Sequence, residues 1–193
     1  MGISGTSSIV VKKTVPGLSP RTLAKFLVRA GRVAKVSGRV HLLVTGNREL
    51  QSLNRRFRRK DEPTDVLSFP APRRWGAELA GDVAVSAEMA AQSARRLGHS
   101  LEQEIQVLAL HGVLHLAGFD HAHDHGEMLR MERRLRKKLG LPVGLIERAN
   151  LRAKKNPILE IEKSSPGLPP RSRDRAPRSS PRPIAHRFLQ AKQ

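Results

Sequence analysis

The chain has no cysteine and no tyrosine, and aromatic residues make up only 3% of its 193 positions. Without cysteine, disulfides and thiolate metal sites are excluded, a composition that fits a reducing cytosol. Scarce aromatics argue against nucleic-acid binding by bases stacked on an aromatic platform. No apolar run approaches the ~20 residues needed to span a bilayer, so no membrane association is expected. The first residues lack a basic start followed by an apolar core and do not read as a secretory signal. They match the short myristoylation pattern through Gly2 and Thr6, which is too degenerate to carry weight. Acidic residues are also few: 17 stand against 36 Lys and Arg, a formal charge of +19. Such a balance favours a polyanionic partner, most simply nucleic acid met through its phosphates.

The composition changes near residue 150. Residues 150–193 hold eleven basic residues, three acidic ones and seven prolines, so they carry +8 and leave +11 on residues 1–149. A segment so poor in apolar residues cannot bury enough surface to offset its ordering entropy, and a disordered basic tail is expected there. It is equally readable as extra reach on RNA or as a dispensable extension.

Residues 1–149 read as one mixed domain. Short strands are expected at residues 9–13, 39–45, 65–69 (closed by Pro70) and 82–86. Ser19 with Pro20 opens a helix that runs to about Gly31. Asn47 is expected to cap a second helix carrying Leu50, Leu53 and Phe57. A third runs from Ser86 to about Gly98, a fourth follows Ser100, and a fifth spans residues 127–139 before Gly140 and Pro142.

The fourth helix carries the most chemistry. Ser100 and Gln103 form a capping box, and Ile105, Leu108, Val113, Leu114 and Leu116 supply its apolar surface. Near its end stands His-Gly-Val-Leu-His-Leu-Ala-Gly-Phe-Asp-His, residues 111–121. His111 and His115 project from one helix face, one turn apart. Gly118 can end the helix in a left-handed cap and swing the chain back, so that His121 closes on the same point. Buried imidazoles need polar partners, and a metal ion is one that satisfies them. Three neutral imidazoles leave a coordination position open, as catalytic zinc sites do. Asp120 can orient an imidazole or simply serve the turn.

The same spacing occurs in metzincin peptidases, H-E-x-x-H-x-x-G-x-x-H, whose Glu is the general base. Here that position is Gly112, which cannot move a proton. The ligand pattern is kept and the peptidase base is missing, which points toward metal-assisted attack on another substrate such as a phosphodiester.

Three segments in this order resemble the YbeY family of bacterial endoribonucleases and rRNA maturation factors. They are Leu-Asn-Arg-Arg-Phe-Arg-Arg-Lys-Asp-Glu-Pro-Thr-Asp-Val-Leu-Ser-Phe-Pro (residues 53–70), Gly-Asp-Val-Ala-Val (residues 81–85) and the histidine motif. The resemblance spans residues 9–140. It implies an α+β fold: a small mixed four-stranded sheet flanked by about five helices, as a single metal-dependent endoribonuclease domain at residues 1–149. It implies one zinc ion held by His111, His115 and His121, with Arg58 beside it as a catalytic residue. It implies a single-strand-specific, cytoplasmic endoribonuclease of small-subunit ribosomal RNA 3′-end maturation and ribosome quality control. Small ribosomal subunit proteins and an assembly GTPase are its implied partners. Phe119 departs from the family's usual Tyr, and the segment after His121 is less acidic and adds His123 and His125, expected to be exposed. Arg58 also reads as one solvated member of the run Arg55, Arg56, Arg58, Arg59 and Lys60, and Asp65 as structural. A zinc metallopeptidase and a non-catalytic ribosome-assembly factor with a structural metal stay open as alternatives.

Overall fold

A computed structural model describes residues 7–13, 15–72 and 78–148 of the chain. The expectations for the tail at residues 150–193 and for the Gly2 pattern lie outside the described residues. The elements follow as β1 (Ile9–Val11), α1 (Pro20–Val33), β2 (Arg39–Thr45), α2 (Asn47–Arg58), β3 (Val66–Pro70), β4 (Leu79–Ser86), α3 (Ala87–Leu97), α4 (Leu101–Leu116) and α5 (Glu127–Leu139). A further helical turn covers residues 145–148.

The strands form one sheet in the order β1-β2-β4-β3. β1, β2 and β4 are parallel, and β3 pairs antiparallel with β4 at the edge. This is the mixed four-stranded α+β arrangement expected. Alternation along the strands divides the apolar residues between the two faces. Leu42, Val44, Val83 and Val85 join the main core with α1, α3, α4 and α5. Leu43, Leu67 and Ala84 pack with Leu50, Leu53 and Phe57 of α2 on the other side. α4 is buried nearly all round, because its run from Ile105 to Leu114 offers almost no polar face. None of the described helices is long and apolar enough to cross a membrane.

Several boundaries differ from the sequence reading. Asn47 is the first helical residue of α2, and Gly46 takes the cap position. Asn47 is used differently: its N–H donates to the Glu88 carboxylate at 2.6 Å and its side-chain oxygen accepts from the Ser86 hydroxyl. The starts of α2 and α3 are thereby tied together. α1 continues past Gly31 to Val33, since the chain turns only at Lys35 (φ 57°), where the Val36 N–H returns to the Gly31 carbonyl. β1 stops at Val11, two residues short of the expected end. β4 begins at Leu79 rather than Asp82, through a register shift opposite Arg39 and Val40. Gly81 (φ 150°) makes that possible, because a Cβ there would lie 2.4 Å from the Phe69 carbonyl oxygen.

Candidate metal centre

Three devices place the histidines. Ser100 and Gln103 form the reciprocal capping box that starts α4. At the other end the Phe119 N–H bonds to the Leu114 carbonyl (3.1 Å) and the Gly118 N–H to that of His115 (3.0 Å), with Gly118 at φ 92°. This pair of bonds is a Schellman ending, and it turns the chain back over the last helical turn. The carboxylate of Asp120 then accepts from the Ala122 N–H (3.1 Å) and from His123 Nδ1–H (2.7 Å), holding the loop that carries His121.

The result is convergence. The ring centroids of His111, His115 and His121 are 4.8, 5.3 and 5.4 Å apart in their three pairs. One nitrogen from each lies within 4.8 Å of the others, so the trio can hold a metal ion. Nε2 of His111 and Nε2 of His115 are 3.2 Å apart. Two imidazoles bound at 2.0–2.1 Å in tetrahedral geometry have nitrogens about 3.3 Å apart, so this pair already has zinc-binding separation. His111 is buried, His115 half-buried and His121 exposed, so the cluster opens to solvent on one side. A cavity of about 280 Å³ adjoins it, lined by His111, His121, Asp124, Leu129 and Ile146 among others.

The protonation state suits a metal. Burial pushes the His115 pKa down to about 4, helped by the positive charges of His111, His121 and Arg58 and opposed by Asp120. The ring therefore stays neutral and ligand-competent in mildly acidic solution. A stability consequence follows in the metal-free protein. Between the ordinary value near 6.5 and about 4, the unfolded chain takes up a proton that folded His115 refuses, so stability falls as pH drops through that window. Thermal melts of chelator-treated protein at pH 7, 5.5 and 4.5 should show the decline, and His115→Ala should flatten it.

Glu132 was not singled out from sequence. It lies on α5, 1% exposed, and its Oε1 accepts from His111 Nδ1–H at 3.1 Å. With Nδ1 engaged by Glu132, Nε2 is the nitrogen of His111 that faces the cluster. Its signal was present but masked: Met128, Glu132 and Leu135 are the buried residues of α5. A carboxylate at a core position of an amphipathic helix asks for a buried partner. Of the two roles open to Asp120, its hydrogen bonds fit the turn: the carboxylate meets Ala122 N–H and His123 rather than a ring of the trio. His123 and His125 are exposed, as expected, and neither joins the trio. Phe119 is packed against the main core.

Gly112 fills the position of the peptidase base, and its surroundings explain the glycine. A Cβ there would stand 2.6 and 2.9 Å from the two methyls of Val83 and 3.1 Å from Ser68 Oγ. The Ser68 hydroxyl donates to the Gly112 carbonyl at 3.2 Å. α4 thus lies against the sheet at this point, and no side chain fits. Gly112→Ala is expected to destabilise by up to roughly 2 kcal/mol, overpacking of about 1–3 kcal/mol less about 1 kcal/mol gained in helix propensity. Urea unfolding of the variant beside the parent checks this.

Arg58 is the last residue of α2 and is exposed. Its charge is felt at His115, which puts it on the histidine side of the molecule. The edge-to-face pair of Phe57 and Phe69, with ring centroids 5.1 Å apart, pins this end of α2 to β3.

The model of the family described as endoribonuclease YbeY matches residues 12–140. The chain belongs to the YbeY family. A protein named endoribonuclease YbeY from Koribacter versatilis is 54% identical over 147 residues, covering 76% of this chain and 95% of that protein. Its namesake from Solibacter usitatus is 46% identical over 142 residues, covering 74% and 94%. The solution structure of a Thermotoga maritima protein aligns over 68% of this chain and 88% of its own, with 26% identity and a TM-score of 0.46. The YbeY match encloses the whole histidine motif, Arg58 and Glu132, and stops at Gly140.

Proposed function

We propose that this chain is a zinc-dependent endoribonuclease that cleaves single-stranded RNA in the cytoplasm, and that it trims the 3′ end of small-subunit ribosomal RNA and serves ribosome quality control. The observation that carries the reading is the convergence of His111, His115 and His121, with two Nε2 atoms 3.2 Å apart, in a member of an endoribonuclease family. The charge of +19 supports a polyanionic substrate. Small ribosomal subunit proteins and an assembly GTPase are the partners this reading implies.

A zinc ion held by the three imidazoles would supply Lewis acidity and positive charge at the scissile phosphate. The protein's own groups do the rest. His115 presents its nitrogen without a competing proton, and Glu132 holds the His111 ring by its far nitrogen. Arg58 pairs with the phosphate and stabilises the charge that develops on it. Arg55, Arg56, Arg59 and Lys60 extend the basic surface along which a strand would run.

The test offers purified protein a single-stranded RNA, its duplex form and casein, each with and without chelator. The reading predicts chelator-sensitive cleavage of the single strand alone. Casein hydrolysis would replace it with the peptidase reading. No cleavage together with co-sedimentation on small ribosomal subunits would replace it with an assembly factor. Product ends identify the nucleophile: a cyclic phosphate means the RNA 2′-hydroxyl attacked, and a linear end means water did.

A further inference from the structure

The far end of the described chain is bound back onto the metal centre. Glu132 uses its two oxygens on two different partners: Oε1 takes His111 Nδ1–H, and Oε2 takes the N–H of Ile146 at 3.1 Å. Gly144 lies so close beneath it that a Cβ there would stand 2.3 Å from Oε2 and 2.7 Å from Cδ. Two further anchors hold the same segment. Arg148 Nη1 donates to both oxygens of Glu104, at 2.8 and 2.9 Å, with both side chains nearly fully buried. Glu104 is on α4, two turns ahead of His111. Glu147 pairs with Arg133 (3.3 Å) and Arg136 (3.1 Å) of α5. Residues 144–148 are therefore fastened to both helices that build the site.

We propose that residues 144–148 form a clasp that holds Glu132 against His111 and so sets the affinity of the metal centre, with Glu132 as a positioning residue. This rests on the three histidines being the ligands. The physical case is that a ligand imidazole needs one tautomer and one ring orientation. A carboxylate on Nδ1–H fixes both and raises the basicity of Nε2. A buried carboxylate with one partner is itself costly to hold, and the Ile146 N–H supplies the second. If the segment shifts, Glu132 loses that bond and is free to turn away from His111. The main-chain contact at Gly144 makes the coupling steric as well as polar.

The experiment measures zinc affinity of the full chain by competition with a chromophoric chelator, and the visible spectrum of the cobalt-loaded protein. The variants are Glu132→Gln, Glu132→Ala, Gly144→Ala and His115→Ala, with Glu78→Ala as an exposed control. Glu132→Gln and Gly144→Ala should each weaken zinc binding about 10–100-fold and shift the cobalt bands. Glu78→Ala should do neither. Circular dichroism in chelator shows which variants fold, and the Gln variant keeps the test decisive where the Ala variant does not. Parent-like affinity in Glu132→Gln overturns the positioning role. Loss in Glu132→Gln with parent-like Gly144→Ala overturns the clasp. Tight zinc binding retained by His115→Ala overturns instead the ligand assignment beneath both.

Discussion

His115→Ala is expected to abolish RNA cleavage and to release the metal while leaving the fold intact. His115 sits in the last turn of α4, half-buried, and its ring faces His111 and His121 rather than the main core. Truncating it removes one of three donors and leaves a small, solvent-accessible gap. The apolar residues of α4 that carry its packing, Ile105 to Leu114, are untouched. A metal's Lewis acidity is worth several kcal/mol at a developing charge, and each 1.36 kcal/mol is tenfold in rate. Cleavage should therefore fall by at least about 10³-fold. Metal content by mass spectrometry should fall with it, and the apo-protein melting temperature should be retained or raised at acidic pH. A variant that binds zinc and cuts RNA like the parent would remove His115 from the site.

The second large effect is expected at Arg58. An Arg58→Ala variant should lose about 10²–10³-fold in kcat, the usual cost of removing one charge-stabilising donor at a reacting centre. Zinc content should not change, because in the proposed role Arg58 would pair with the phosphate, and a guanidinium is not a metal ligand. Arg58→Lys should recover only part of the loss, since an ammonium cannot reproduce the bidentate fork. Arg59 is the informative neighbour. It occupies the left-handed cap of α2 (φ 59°), with its N–H bonded to the Arg55 carbonyl at 3.1 Å. Its side chain is one more exposed charge, so Arg59→Ala should change RNA affinity modestly and its salt dependence, with kcat near that of the parent. Equal losses at the two positions would reduce Arg58 to general basic surface. Full activity in Arg58→Ala would take it out of the reaction.

Much of this was legible in residue order, where local rules and the tertiary fold agree. α4 is the clearest case: its capping box, apolar run, paired histidines and terminal glycine each act within a few residues, and all recur in the structure. The four strands and five helices were legible for the same reason. The misses nearest the site share a cause in distant partners. Asn47 looked like a cap because its chemistry suits one, but Ser86 and Glu88 claim it from another helix. The early start of β4 depends on Gly81 fitting beneath the Phe69 carbonyl, which no local pattern reveals. Glu132 hid in a helix that reads Glu-Arg-Arg-Leu-Arg-Lys-Lys, where an acidic residue passes for a surface ion pair. Only its spacing to Met128 and Leu135 betrayed burial. Asp120 was the nearer candidate in sequence, yet it faces the loop. Gly112 was read chemically, as a missing base, and the structure adds a steric reason: Val83 leaves no room for one.

The most direct test of the central claim is reversible loss of single-strand RNA cleavage on metal removal. The purified protein is stripped with chelator, assayed, reloaded with one equivalent of zinc and assayed again. Activity should disappear on stripping, return with a single equivalent, and stay absent in His115→Ala. Cleavage that persists in metal-free protein, or that zinc restores equally in the histidine variant, would contradict that claim.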